Sequence, residues 1–172
     1  MQLAHLDHSK IKNKFPLVIL TDNIIGEANI GSIFRLADAF NIEKIIFTGS
    51  PINLNSNRLK KTARSTFKYV DFEYIENAPA ALRSYKKEGY KVLALEITSD
   101  SLSIDSLNYQ NKSKLLLIIG NERNGISPEL LKLSDKNLHI RMFGENSSMN
   151  VAQATGIALY EITKTLLPFQ EK

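Results

Sequence analysis

The sequence predicts an α/β domain with a mainly parallel sheet flanked by helices, and three observations carry that reading. Strand-like and helix-like stretches alternate along the 172 residues. Strand candidates such as VLAL (92–95) and LLLII (115–119) are apolar throughout. Without in–out alternation they need cover on both faces, as strands of a parallel sheet between helical layers do. No repeat or low-complexity linker interrupts the alternation, so residues 16–172 read as one domain behind a basic tail, residues 1–15, carrying Lys10, Lys12 and Lys14.

The elements follow in order. PLVILTD (16–22) is a strand and 29–40 a helix. EKIIFTG (43–49) is the second strand, followed by a basic, helix-compatible stretch, 56–64. YVDFEYI (69–75) alternates like a strand, and 78–88 is a helix ending at Gly89. KVLALEI (91–97) is a strand, a polar connector follows, and KLLLIIG (114–120) is the next strand. Ser127, Pro128 and Glu129 supply a cap, a first-turn proline and a first-turn acid for another helix. LHIRM (138–142) is a short strand, and the last helix runs from about Ser148 to Leu166.

Composition narrows the function. The sequence has no cysteine and three histidines. Thiolate–metal and disulfide staples are therefore excluded, and the absence of cysteine agrees with a reducing, cytoplasmic setting. His5 and His8 lie in the polar tail, so no metal site is expected. No apolar run approaches the ~20 residues of a membrane span, and the N-terminus lacks the apolar core of a secretion signal. The net charge of +4 is modest. Arg58, Lys60, Lys61, Arg64 and Lys68, however, fall in one acid-free window, which reads either as a solvated helix face or as a phosphate-tracking surface.

Ligands of open parallel sheets bind beyond the carboxyl ends of the strands, and neither common Gly-rich phosphate fingerprint is present. Three other segments stand out. In EANIGSIFRLADAF (27–40), Arg35 projects opposite the apolar side, with Gly31, Ser32 and Ala39 as small neighbours. It either pairs with Asp38 or grips a phosphate or carboxylate, and Gly31 hints at a close approach. In LLLIIGNERNGISPEL, Gly120 ends a buried strand, where a ligand can reach the main chain, and a loop with Glu122 and Gly125 follows. The third segment, GENSSMNVAQATGIALYEI (144–162), places Asn146, Ser147, Ser148 and Asn150 before a helix that needs one cap. Met149 among them suits contact with a ring or alkyl chain.

Taken in this order, the segments resemble the three motifs of the SpoU/TrmH family of RNA ribose 2′-O-methyltransferases, in the SPOUT class. Asn29, Gly31 and Arg35 match N-x-G-x-x-x-R. Gly120, Glu122 and Gly125 match the G-x-E-x-x-G that follows an apolar strand. Ile140, Met142, Gly144, Ser148, Met149, Asn150, Val151 and Ala154 match the third motif. The resemblance covers residues 16 to about 165.

The resemblance implies a SPOUT fold whose C-terminal part forms a deep trefoil knot. It also implies a homodimer with the active site at the interface, and S-adenosylmethionine as cofactor with no metal. Leu95, Gly120, Ile140 and Met149 would hold the cofactor, while Arg35, Asn29, Glu122, Ser148 and Asn150 would form the catalytic group. Arg58, Lys60, Lys61 and Arg64, with the tail, would bind tRNA or rRNA in the cytoplasm. Arg35 would act either as the base for the ribose hydroxyl or as the group orienting an RNA phosphate, since guanidinium is effectively always protonated in proteins. Two departures are visible: Met149 stands where leucine is frequent, and Arg64-Ser65-Thr66 replaces a Gly-Ala stretch. The alternatives are a methyltransferase for another acceptor and an RNA-binding protein of this fold without turnover.

Overall fold

The computed structural model describes residues 13–109 and 113–167. His5, His8, Lys10 and Lys12 therefore lie outside the described residues. The order is β1 (Phe15–Asp22), α1 (Glu27–Ala39), β2 (Ile42–Thr48), α2 (Asn57–Ala63), β3 (Phe72–Tyr74), α3 (Ala78–Lys87), β4 (Lys91–Leu95), β5 (Leu102–Ser103), β6 (Leu115–Ile119), α4 (Pro128–Leu133), β7 (Lys136–His139) and α5 (Val151–Leu166). The seven strands form one sheet in the order β3-β2-β1-β6-β4-β7-β5. Every pairing is parallel.

Period-two alternation sorts the apolar strands onto two cores. Leu17, Ile19, Ile45, Phe47, Leu115 and Leu117 face one way and pack with residues of α1, α2 and α5. Val18, Leu20, Ile46, Val92, Leu116 and Ile118 face the other way, against α3 and α4. All five residues of β6 are buried. Inserted between β1 and β4, this strand has no solvent side, which is why its sequence shows no polar residue.

Several boundaries differ from the sequence reading. The third strand begins only at Phe72, because Thr66–Lys68 form a 3-10 turn and Val70 is buried beneath it. The polar connector hides the two-residue edge strand β5 and a second 3-10 turn, too short to leave a periodic pattern. The seventh strand lies at Lys136–His139, before most of the apolar LHIRM run. That leaves Ile140 and Met142 in the following loop. Ser127 makes no side-chain cap; its N–H instead donates to Asp22 Oδ2 at 2.6 Å. The last helix starts at Val151, with Ser148, Met149 and Asn150 outside it.

Gly31 is explained by packing. A Cβ there would stand 2.8 Å from the Leu59 carbonyl oxygen and 2.8 Å from Thr62 Cβ. The close approach suggested by the sequence is thus that of α2, on the buried side of α1, and not that of a ligand beside Arg35. Lys14 is also occupied: its ammonium pairs with Asp71 at 2.6 Å.

Candidate active site

The loops that leave the carboxyl ends of β4, β6 and β7 enclose a cavity of about 420 Å³. Leu95, Gly120, Ile140 and Met149 all border it, together with Ile119, Met142 and Val151 as apolar walls. Glu122, Ser148 and Asn150 stand at its edge, and Ser148 is exposed. Arg35 does not reach this cavity. It lies in an adjoining groove of about 1040 Å³ between α1 and α5, which shares Met149 and Asn150 with the first and also contains Asn29. Of the two alternatives for Arg35, the pairing with Asp38 does not form, and among the described residues Arg35 has no ion pair.

The three motif segments are joined by one line of hydrogen bonds. Glu122 Oε1 accepts from Gly26 N at 2.9 Å and from Asn29 Nδ2 at 2.8 Å. Asn29 Oδ1 accepts from Asn150 Nδ2 at 2.9 Å. Asn150 Oδ1 in turn caps α5, accepting from Ala152 N at 2.9 Å and Gln153 N at 3.3 Å. Each amide is thereby held in one orientation. Burial acts to push the Glu122 carboxyl up, but the Asn29 amide and the N–H groups of Glu122, Gly26 and Ile25 outweigh it, so its pKa lies below the ordinary value.

Glycine at two of these positions follows from crowding. A Cβ on Gly120 would sit 2.4 Å from the Gly125 carbonyl carbon, because the loop closes back on itself. Asn121 and Gly125 exchange backbone hydrogen bonds at 3.0 Å in both directions. Gly125 has φ +66°, and a Cβ on it would meet Glu96 Oε2 at 2.4 Å. Gly120 is therefore required by the loop turn, and it also borders the cavity.

Sequence reading missed Glu96 and Gly26. Glu96 borders the cavity just beyond β4, and its carboxylate accepts from Ile126 N at 2.9 Å and Ile97 N at 3.1 Å, pinning the 120–126 loop. Its signal was present: it is the first polar residue after an apolar strand, the position that drew attention to Gly120. Gly26 packs against the Glu122 carboxylate, where a Cβ would stand 2.5 Å from Oε1. Nothing local in the sequence marks it.

The cavity suits a nucleoside-type ligand. It falls in the usual range of roughly 300–1,000 Å³ for small-molecule sites, and its apolar walls can sandwich a flat base. The carboxylates of Glu96 and Glu122 at its border favour a cationic group. Fold, cavity and motifs together define a methyltransferase of the SpoU/TrmH class. The chain belongs to the SpoU rRNA Methylase family, whose model matches residues 16–160.

It is 29% identical over 153 residues to the tRNA (guanosine(18)-2′-O)-methyltransferase of Aquifex aeolicus, covering 87% of this chain and 70% of that one. It is 28% identical to the enzyme of the same name from Saccharomyces cerevisiae, covering 92% of this chain and 11% of the yeast protein. The AdoMet-bound rRNA methyltransferase of Sinorhizobium meliloti superposes with a TM-score of 0.80 at 26% identity, over 88% of this chain and 57% of that one. The chain thus spans well under two thirds of the yeast and Sinorhizobium proteins.

Proposed function

We propose that this chain is an S-adenosylmethionine-dependent methyltransferase that modifies a ribose 2′-hydroxyl of tRNA or rRNA in the cytoplasm. The observation that carries the reading is the joining of the three motif segments, through Glu122, Asn29 and Asn150, where a nucleoside-sized cavity meets the groove that holds Arg35. In this reading residues 16–172 are the catalytic domain, and residues 1–15 and α2 serve RNA contact. The C-terminal part is a trefoil knot, an expectation supported by the strand order, which inserts β6 and β7 on either side of β4.

Leu95, Ile140 and Met149 hold the adenine side of the cofactor, and the main chain at Gly120 contributes polar contacts. When bound, S-adenosylmethionine supplies an electrophilic methyl group, which passes to the ribose oxygen and leaves S-adenosylhomocysteine. Ser148 and the amide of Asn150 order the mouth of the cavity. Arg35 grips the phosphate next to the reacting ribose and aligns the hydroxyl for in-line attack. Because guanidinium keeps its protons, a non-bridging oxygen of that phosphate takes the hydroxyl proton.

The active form is a homodimer. Arg35 stands in a groove that continues onto Ile157 and Tyr160, both exposed, and a second copy on this face would bring one Arg35 toward the other copy's cavity. Incubation of the protein with methyl-labelled S-adenosylmethionine and separate tRNA and rRNA pools tests the activity. Label on a ribose 2′-oxygen is expected. Label on a base, or on another acceptor, assigns the cavity to a different methyl transfer. RNA binding with no label indicates a protein without turnover.

A further inference from the structure

The basic window and the turn behind it contain a feature that the motifs do not use. Arg58, Lys60, Lys61, Arg64 and Lys68 are all exposed. Among the described residues none of them makes an ion pair. The nearest acids in sequence are already engaged, Asp71 by Lys14 at 2.6 Å and Glu73 by Lys44 at 3.0 Å. The positive face is therefore uncompensated and complementary to a polyanion.

Tyr69 stands at the end of this face and is 71% exposed. A single exposed aromatic ring is ordinary, but the backbone that carries this one is anchored on both sides. Before it, Phe67 packs edge-on against Phe34, with centroids 6.4 Å apart. After it, Val70 is 6% exposed. The backbone N–H groups of Tyr69 and Val70 both donate to the Thr66 carbonyl, at 2.9 and 3.1 Å. Anchors on both sides turn Tyr69 outward beside the cations. The chain enters this turn through Arg64 (φ +48°) and Ser65 (φ +68°), two successive left-handed residues, neither of them glycine. That conformation is unfavourable for L side chains, and such strain collects at functional sites.

We propose that Tyr69 is a stacking platform for one base of an unpaired RNA segment, whose phosphates are held by Arg64, Lys68 and the outer face of α2. The inference rests on the reading of the chain as an RNA-modifying enzyme and adds the substrate class: a single-stranded loop. In an A-form duplex the base faces are already stacked on one another and out of reach of such a ring, whereas unpaired bases stack on aromatic side chains.

The test titrates fluorescein-labelled oligouridylate of ~12 nucleotides, free and hybridised to oligoadenylate, at about 50 and 200 mM salt. Wild type should prefer the single strand. Tyr69→Ala should lose roughly 5- to 100-fold in single-strand affinity with an unchanged salt slope and unchanged duplex binding, and Tyr69→Phe should retain the affinity. The double variant Lys60→Glu, Lys61→Glu should weaken both ligands and flatten the salt slope. If that variant binds as wild type does, the RNA reading of the face fails. If it weakens binding but Tyr69→Ala does not, the stacking role fails while the RNA reading stands. Competition by polyglutamate as effective as by RNA would overturn the proposal in favour of an acidic protein partner. Tyr69→Ala is expected to keep the wild-type circular dichroism, since the ring is outside the core.

Discussion

Asn29 and Glu122, 93 residues apart in sequence, meet at 2.8 Å where the first motif helix and the loop after β6 come together. Both ends of the Asn29 amide are engaged in that position, the nitrogen donating to Glu122 and the oxygen accepting from Asn150. Weakening the Glu122 end of this line should therefore loosen Asn29 and, through it, Asn150. Glu122 is exposed and Gln keeps one acceptor oxygen, so solvent screening reduces the worth of these charge-assisted bonds, and Glu122→Gln should lower stability by about 0.5–1 kcal/mol at neutral pH, read from urea midpoints.

The same pair gives a pH dependence with a definite sign. The folded-state pKa of Glu122 is depressed, so its contribution is fully present above the unfolded value near 4.5 and is lost as pH falls through the lower folded value. Other carboxylates titrate nearby, so the useful quantity is the difference between wild type and Glu122→Gln. That gap should be constant at neutral pH and close on acidification below about pH 5. A gap that widens there would contradict the ionised, hydrogen-bonded carboxylate.

Asn150 performs two tasks that substitution can separate. Asn150→Ala removes the cap of α5 and should cost about 1 kcal/mol. Asn150→Asp keeps a good cap but replaces the donor facing Asn29 Oδ1 by an acceptor. It should keep the cap's contribution yet weaken binding of S-adenosylhomocysteine in calorimetry, because repulsion between the two oxygens displaces Asn150 at the mouth of the cavity.

At Gly26 the argument is steric. Gly26→Ala would place a methyl group 2.5 Å from Glu122 Oε1 and 2.9 Å from Asn29 Nδ2, with an expected loss of roughly 1–3 kcal/mol. In a Glu122→Ala background the nearer obstruction is gone and Asn29 is free to move aside, so the loss should shrink and a double-mutant cycle checks the contact.

Arg64→Gly should relieve a left-handed residue and raise stability by about 1 kcal/mol, measured by thermal unfolding, while weakening RNA binding. A Gly-Ala stretch, as the resemblance led one to expect here, would adopt this turn with less strain; Arg64 exchanges that comfort for a charge.

The sheet was legible because burial on both faces removes polar residues from strands such as Leu115–Ile119, leaving an unambiguous pattern. The edge was not: β5 has two residues and does not separate from its flanking loop, and the four-residue β7 beside it lies two to three residues before the strand read from LHIRM. Within the site, Glu122, Asn29 and Asn150 were recognisable by motif, but their mutual hydrogen bonds join positions about 90 and 120 residues apart, which no local pattern encodes. Gly31 illustrates the opposite error: a glycine inside a helix signals close approach, yet sequence alone does not say whether a ligand or another helix comes close. Glu96 was overlooked because it reads as the polar end of a strand, whereas its carboxylate fixes the loop that borders the cavity.

In the proposed reaction the cavity and Arg35 together carry out methyl transfer to RNA. The most direct measurement compares wild type and Arg35→Ala for label transfer from S-adenosylmethionine to RNA, with S-adenosylhomocysteine affinity measured in parallel. Labelled ribose 2′-oxygen is expected with wild type, with a loss of at least about 100-fold in Arg35→Ala and nearly unchanged affinity. An Arg35→Ala protein that keeps most of its transfer activity, or a wild type that leaves every RNA pool unlabelled, would contradict the proposed reaction.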